Sequence, residues 1–327
     1  MRKSFVVFLV GVVGGTIWLL LQNYSVDGLK GIKLGPRDPG QGSSADAFPV
    51  STPANVSQDT IRIASFNIQV FGRSKLEKPT VMETITRIVQ QFDVVAIQEI
   101  RSREDDILPR FVDMLNAGGR HYDFVIGPRL GRTVSKEQYA FVFDQETIEV
   151  DRNQLYTIHD PEDALHREPF VGWFRARAAP SHQAFTFSLI NIHTDPDDVK
   201  TEVDALDDVF AAVRSDGRQE DDAILLGDLN ADDKHLGQLG RMANLHPAIS
   251  GTATTVTGKK QYDNLIFDRL ATTEFTGRAG VLDFLRQYNL SGDAAKEISD
   301  HLPVWAEFSV LEGGQVGRVA ARPSIAK

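Results

Sequence analysis

Ile61-Arg62-Ile63-Ala64-Ser65-Phe66, residues 61–66, alternates and reads as a strand, ended by Asn67. Working outward, residues 80–91 carry Val81, Ile85, Ile88 and Val89 at helical spacing, and the run 93–97 after them reads as a short buried strand. A helix is predicted over 105–116 and strands over 122–126, 139–143, 170–177 and 184–192. Residues 199–214 form one amphipathic helix with Val203, Leu206, Val209 and Phe210 on a face, and strands follow at 223–226, 262–267 and 302–308. Many strands with a few interspersed helices predict an α/β (α+β) protein, two sheets packed face to face with helices outside.

The chain has 327 residues, 42% hydrophobic and 24% charged, with a net charge of −10. That length builds a full core without staples. With no cysteine, disulfide scaffolds, thiol nucleophiles and cysteine-ligated zinc are excluded. Residues 60–311 hold 27 Lys/Arg against 40 Asp/Glu, a net of −13. A surface this acidic is no passive nucleic-acid coat, and phosphate chemistry on it calls for a metal cation.

Arg2 and Lys3 precede an almost wholly apolar run, residues 5–21. Signal peptides and signal anchors share this pattern, but residues 19–25 lack a pair of small residues for cleavage. The expectation is a single-span transmembrane helix within residues 1–26, with the rest of the chain outside the cytoplasm; a cleaved signal would make the protein secreted. Residues 27–59, rich in Gly, Pro, Ser and Asp, read as a flexible linker, and 312–327 as a disordered tail, leaving 60–311 as the folded domain.

Polar residues gather where the predicted strands end: Asn67, Gln98-Glu99, His193, Asp228 and Asn230, with Asp263 and Asp300-His301 at strand starts. Scaffolded sites are built at such ends. Glu99 and Asp300 are hard oxygen donors suited to Mg²⁺, Mn²⁺ or Ca²⁺. Asn67 and Asn230 offer amide N–H to a phosphate or a carbonyl to a metal. His193 and His301 can move protons, each needing a carboxylate to fix its tautomer. This set fits metal-assisted phosphodiester hydrolysis. Competing motifs fail on spacing: Asp228-x-Asn230-x-Asp232 has Asp233 where an EF-hand needs glycine, and the stretch from Gly251 to Lys259 lacks P-loop spacing.

The runs IRIASFNIQVFG (61–72), VVAIQEIRS (94–102), GPRLGRTVSKEQYAFVF (127–143), HREPFVGWF (166–174), NIHTDP (191–196), LLGDLNAD (225–232), YDNLIF (262–267) and ISDHLPV (298–304) resemble, in order, the endonuclease/exonuclease/phosphatase superfamily, and its deoxyribonuclease I-like branch in particular. The resemblance implies a four-layered αββα sandwich of two mixed, mainly antiparallel sheets. It implies that Glu99, with Asn67 and Asp300, holds the divalent cation. It pairs His193 with Glu137 and His301 with Asp263 around the scissile phosphate, with Asp228 and Asn230 positioning phosphate or water. Arg167 is implied at the DNA backbone and Arg101 in the minor groove. Ser135 stands where the family places a base-contacting tyrosine, and Gln69 where it has arginine. The implied function is a DNA endonuclease with weak backbone and minor-groove contacts and no protein partner. A phospholipid or inositol-phosphate phosphoesterase on the same scaffold is the alternative.

Overall fold

The computed structural model describes residues 59–313, except 133–135 and 179, and a separate antiparallel pair formed by β1 (Tyr24–Val26) and β2 (Leu34–Pro36). Residues 5–21, most of 27–59, and 314–327 lie outside the described residues, and so does Ser135. Among the described residues no helix is long and apolar enough to cross a membrane.

The remaining strands in chain order are β3 (Thr60–Phe71), β4 (Val94–Ile100), β5 (Tyr122–Ile126), β6 (Gln138–Asp144), β7 (Ile148–Val150), β8 (Tyr156–Thr157) and β9 (Phe170–Ala176). Then come β10 (Thr186–His193), β11 (Ala223–Asp228), β12 (Leu245–Pro247), β13 (Asp263–Asp268), β14 (Phe275–Val281) and β15 (Val304–Ser309). One sheet runs β14-β15-β3-β4-β6-β5; the other runs β12-β13-β11-β10-β9-β7, with β8 also on β9. Each sheet has one parallel pair, β3 with β4 and β10 with β11, among antiparallel neighbours. A parallel pair needs a crossover, and helices supply both: Pro79–Val89 between β3 and β4, Val199–Asp204 and Leu206–Arg214 between β10 and β11.

Three apolar clusters establish the four layers. Ile61, Ile63, Val94 and Phe141 of one sheet meet Phe174, Leu189, Ile224 and Leu265 of the other between the sheets. Phe66, Ile68 and Ile97 on the outer face of the first sheet pack against Ile85 and Ile88 of the Pro79–Val89 helix and Phe111 of the Ile107–Asn116 helix. Ile190, Ile192 and Leu225 on the outer face of the second pack against Val203, Leu206 and Phe210. The expected αββα sandwich is the observed one.

The single helix expected over 199–214 is interrupted at Ala205, whose N–H is shared by the carbonyls of Thr201 at 3.2 Å and Glu202 at 3.1 Å in a tightened turn. Buried Glu202 holds the first segment to the loops, its carboxylate accepting from His166 N at 2.7 Å and Asp195 N at 2.9 Å.

Candidate active site

The site is built by continuing each strand's alternation. Inward positions of β3 run Ile61, Ile63, Ser65, Asn67; of β4, Val94, Ala96, Gln98; of β10, Leu189, Asn191, His193; of β11, Ile224, Leu226, Asp228. The early members fill the core between the sheets; the late ones are polar and converge. Gln98 and Asn191 bridge the two sheets with a 2.7 Å hydrogen bond, and Asn191 Nδ2 donates to the carbonyls of Ile97 at 3.2 Å and Ala140 at 3.1 Å. Register places His193 beside Asp228 and Asp228 beside Asp263, one row across β10, β11 and β13.

Glu99 reaches the site through broken alternation. From Ile97 to Ile100 β4 advances three residues while β6 advances only from Ala140 to Gln138, a bulge, and β3 carries two extra residues between Asn67 and Phe71. Glu99 (φ 62°) and Val70 (φ 53°) take left-handed conformations there. For a β-branched residue that is a strained outlier, of the kind that gathers at functional sites. The Val70 N–H donates to Glu99 Oε2 at 2.8 Å, fixing the carboxylate. Lys75, a buried residue that sequence reasoning passed over, donates to the carbonyls of Gln69 and, at 2.7 Å, Ile298, so it ties the β3 bulge to the loop carrying Asp300. Burial pushes its ammonium down to about 8, against the pull of Glu99 and Asp300. Ser299 works alongside it: its hydroxyl donates to Asn67 O at 2.7 Å and accepts from His301 N at 3.0 Å.

Two histidine–carboxylate pairs face one aspartate. His193 Nδ1 lies 2.7 Å from Glu137 Oε1, and His301 Nδ1 lies 2.9 Å from Asp263 Oδ2. Their Nε2 atoms approach Asp228 Oδ2 at 3.6 and 3.5 Å. Asn67 Nδ2 donates to the same oxygen at 3.0 Å and the Asn230 N–H donates to Oδ1 at 3.0 Å. Thr254 Oγ1, also unforeseen, donates to Asp263 Oδ2 at 2.6 Å. Tyr139, in the strand predicted over 139–143, is buried and its hydroxyl accepts from His193 N at 3.0 Å. Burial opposes the imidazolium of both histidines, but Glu137 outweighs it at His193, and Asp263 with Asp228 outweighs it more strongly at His301, so both stand above the ordinary value. Asp228 is held low by the same two rings, against its burial.

The expected cation ligands are partly assembled. Asn67 Nδ2 also lies 3.3 Å from Glu99 Oε1, while Asp300 stands half-exposed, its Oδ1 4.0 Å from His301 Nε2. The Asn67 amide N–H₂ donates to carboxylates, and its Oδ1 is buried without a donor. An orphaned carbonyl oxygen beside a carboxylate is a donor set that fits a hard divalent cation. Arg167, implied at the DNA backbone, and Arg101, implied in the minor groove, both lie against Glu137. Arg167 is buried beneath the site, with Nε 3.0 Å from His193 O and 3.2 Å from Glu137 Oε1. Arg101 bridges Glu99 at 3.4 Å and Glu137 at 3.3 Å with 29% of its side chain exposed.

Residues 64–301 match the Endonuclease/Exonuclease/phosphatase family. Deoxyribonuclease gamma of Rattus norvegicus is 33% identical over 264 residues, covering 75% of this chain and 83% of that protein. Deoxyribonuclease-1-like 1 of Sus scrofa is 34% identical over 263 residues, covering 77% and 82%. Two solved structures share the fold: an endonuclease/exonuclease/phosphatase family protein from Bacteroides thetaiotaomicron, with TM-score 0.52, 18% identity and coverage of 76% of this chain and 97% of that one, and the human Nocturnin catalytic domain, with TM-score 0.52, 17% identity and coverage of 77% and 93%.

Proposed function

The chain belongs to the endonuclease/exonuclease/phosphatase family and is a hydrolytic phosphodiesterase of its deoxyribonuclease I-like branch; from that premise we propose that it cuts DNA endonucleolytically and leaves 5′-phosphate ends. The observation that carries the reading is the pair of His–carboxylate dyads, His193–Glu137 and His301–Asp263, aimed at Asp228. One imidazole takes a proton from the attacking water as its oxygen bonds to phosphorus. The other returns a proton to O3′ as the P–O3′ bond breaks. Glu137 and Asp263 hold each ring's Nδ1, so both Nε2 atoms face the phosphate. Asp228 and Asn230 orient phosphate or water. Glu99, Asn67 and Asp300 would hold a divalent cation, Mg²⁺ or alternatively Mn²⁺ or Ca²⁺, which supplies Lewis-acid neutralisation of charge on the phosphate. Arg167 acts from below, holding Glu137 and the His193 carbonyl.

A groove opening from Asn230 and Tyr262 also supports a polyanionic substrate: Lys200, Lys234, Lys259 and Lys260, all exposed, line it, although Asp204, Asp232 and Asp233 do too. The apolar run 5–21 behind Arg2 and Lys3 supports a membrane anchor with the catalytic domain outside the cytoplasm. Recovery of the full chain from cells in the soluble cytoplasmic fraction would remove that element.

Nicking of supercoiled plasmid by the full chain in Mg²⁺, Mn²⁺ or Ca²⁺ tests the activity. His193→Ala and His301→Ala should each reduce it on the order of 10²-fold or more. The double variant should lose far less than the product, because both rings act on one phosphate. An intact plasmid alongside rapid, histidine-dependent hydrolysis of a phospholipid or inositol phosphate would replace DNA by that substrate.

A further inference from the structure

Asp222 precedes β11 by one residue, at the end of that strand remote from Asp228. A six-residue strand places it roughly 20 Å from the active site. Around it the chain brings together carboxylates from three distant segments. Ligand atoms of Asp222, Glu274 and Glu312 lie within 4.8 Å of one another, and so do those of Glu220, Asp221 and Asp222. Asp222 is fully buried and neither of its carboxylate oxygens has a hydrogen-bond donor. Glu274 is 4% exposed, and its Oε2 is likewise buried without one. The buried Thr272 hydroxyl, close enough to act on Asp222, stands outside hydrogen-bonding geometry. Arg214, which acts electrostatically on Asp221, is already engaged by Asp268 at 2.9 Å.

Buried carboxylate oxygens with no donor are costly, and crowding several together compounds the cost unless a cation or a proton joins them. Other atoms of the cluster are well tied. Glu220 accepts from Trp173 Nε1 at 2.7 Å and from Asp222 N at 3.0 Å, while Glu312 Oε2 accepts from Thr186 N at 3.2 Å. The backbone is therefore held in place while the Asp222 and Glu274 oxygens still point into the group.

We propose that Asp222, Glu274 and Glu312, with Glu220 and Asp221 beside them, hold a structural Ca²⁺ ion that fastens the segment after β15 to the starts of β11 and β14. All the donors are hard oxygens, with neither nitrogen nor sulfur among them, which excludes a zinc-type site. A buried cage of protein carboxylates suits Ca²⁺, which accepts many protein oxygens in flexible geometry, better than Mg²⁺, which retains its waters. Without the ion, burial and the neighbouring Glu274, Glu220 and Glu312 push Asp222 up to about 10, so a proton would take the cation's place. Those two states give opposite results on chelation.

The full chain is stripped with EDTA, and thermal unfolding is followed as CaCl₂ is added, for wild type, Asp222→Asn and Glu99→Gln. Wild type and Glu99→Gln should gain about 5–10 °C at Ca²⁺ a hundredfold above its Kd. Asp222→Asn should gain little, and in EDTA it should be no less stable than wild type, since the amide removes a buried charge. Glu274→Gln serves the same purpose if Asp222→Asn does not fold. Terbium substituted for calcium gives a second readout: Trp173, hydrogen-bonded to Glu220, should sensitise its luminescence in Glu99→Gln but not in Asp222→Asn. No Ca²⁺-dependent rise in wild type, or an undiminished rise in Asp222→Asn and Glu274→Gln, would overturn the site and leave the carboxyls sharing a proton.

Discussion

At Asp228, two imidazoles, an asparagine amide and a backbone N–H meet on one buried carboxylate. His301 and His193 hold this carboxylate low against its burial, and His193 depends in turn on Glu137. His193 is raised because Glu137 outweighs burial; Glu137 is lowered because His193, Arg167 and Arg101 outweigh its own burial. His193 therefore stabilises the fold fully below its unfolded pKa of about 6.5, and that contribution disappears as pH rises through its raised folded value. Glu137 contributes above its unfolded pKa of about 4.3, and its share is lost as pH falls through its depressed folded value. Glu137→Gln leaves burial as the main influence on His193, so its ring should titrate below the wild-type value, read from imidazole proton resonances. An unmoved titration would break the pairing. At Glu99, an amide still accepts from Val70 N–H but is a far weaker ligand for a hard cation than a carboxylate. Glu99→Gln should fold normally, lose most activity at ordinary Mg²⁺, and recover part of it as Mg²⁺ is raised. Full activity at ordinary Mg²⁺ would take Glu99 out of the ligand set.

Among the elements, alternation carried the reading a long way. The polar residues that end β3, β10 and β11 continue the same inward series as the core residues before them, so Asn67, His193 and Asp228 were legible as one cluster from residue spacing. Glu99 was legible only as a strand-end acid. Regular alternation sends Gln98 and Glu99 to opposite faces, and the bulge that brings both inward is a matter of hydrogen-bond register, which residue type does not announce. Lys75 and Arg167 were illegible as buried groups for a related reason: each has partners remote in sequence, Ile298 for one and Glu137 with His193 for the other. The break at Ala205 escaped because the apolar face continues across it. Gly227 shows the opposite case, a residue whose type does announce its place. It sits at φ 149°, and a Cβ there would lie 1.9 Å from the Ile192 carbonyl oxygen. Gly227→Ala must push β11 away from β10 beside Asp228, costing on the order of 3 kcal/mol or more, the upper range for single substitutions. Denaturant midpoints measure this; a loss below about 1 kcal/mol would mean that the two backbones do not approach so closely.

For the whole molecule, charge sets how the proposed DNA substrate would be held. The 60–311 region carries a net of −13, so a phosphate backbone meets general repulsion and few local attractions. Arg167, expected at the backbone, is buried and engaged by Glu137, and Arg101 is shared between Glu99 and Glu137. Exposed cations also line the groove that includes Asn230 and Tyr262, among them the adjacent Lys259 and Lys260. Each phosphate neutralised contributes about −0.9 to the log–log dependence of duplex affinity on salt. Two to four such contacts predict a shallow slope of roughly −2 to −4 and weak binding. Lys259→Ala with Lys260→Ala should flatten that slope by about 1–2 while leaving hydrolysis of a small phosphodiester unchanged, because neither lysine belongs to the His193–Asp228–His301 centre. Gln69→Arg should act in the reverse direction, adding a cation next to Val70 at the exposed edge of the β3 bulge and raising plasmid nicking. A slope that does not move in the double lysine variant would place the strand elsewhere, along Arg101 and the opposite rim. If nicking also failed to respond to Gln69→Arg, the duplex would be approaching neither rim, and the substrate of this acidic site would have to be a smaller phosphodiester that needs no groove.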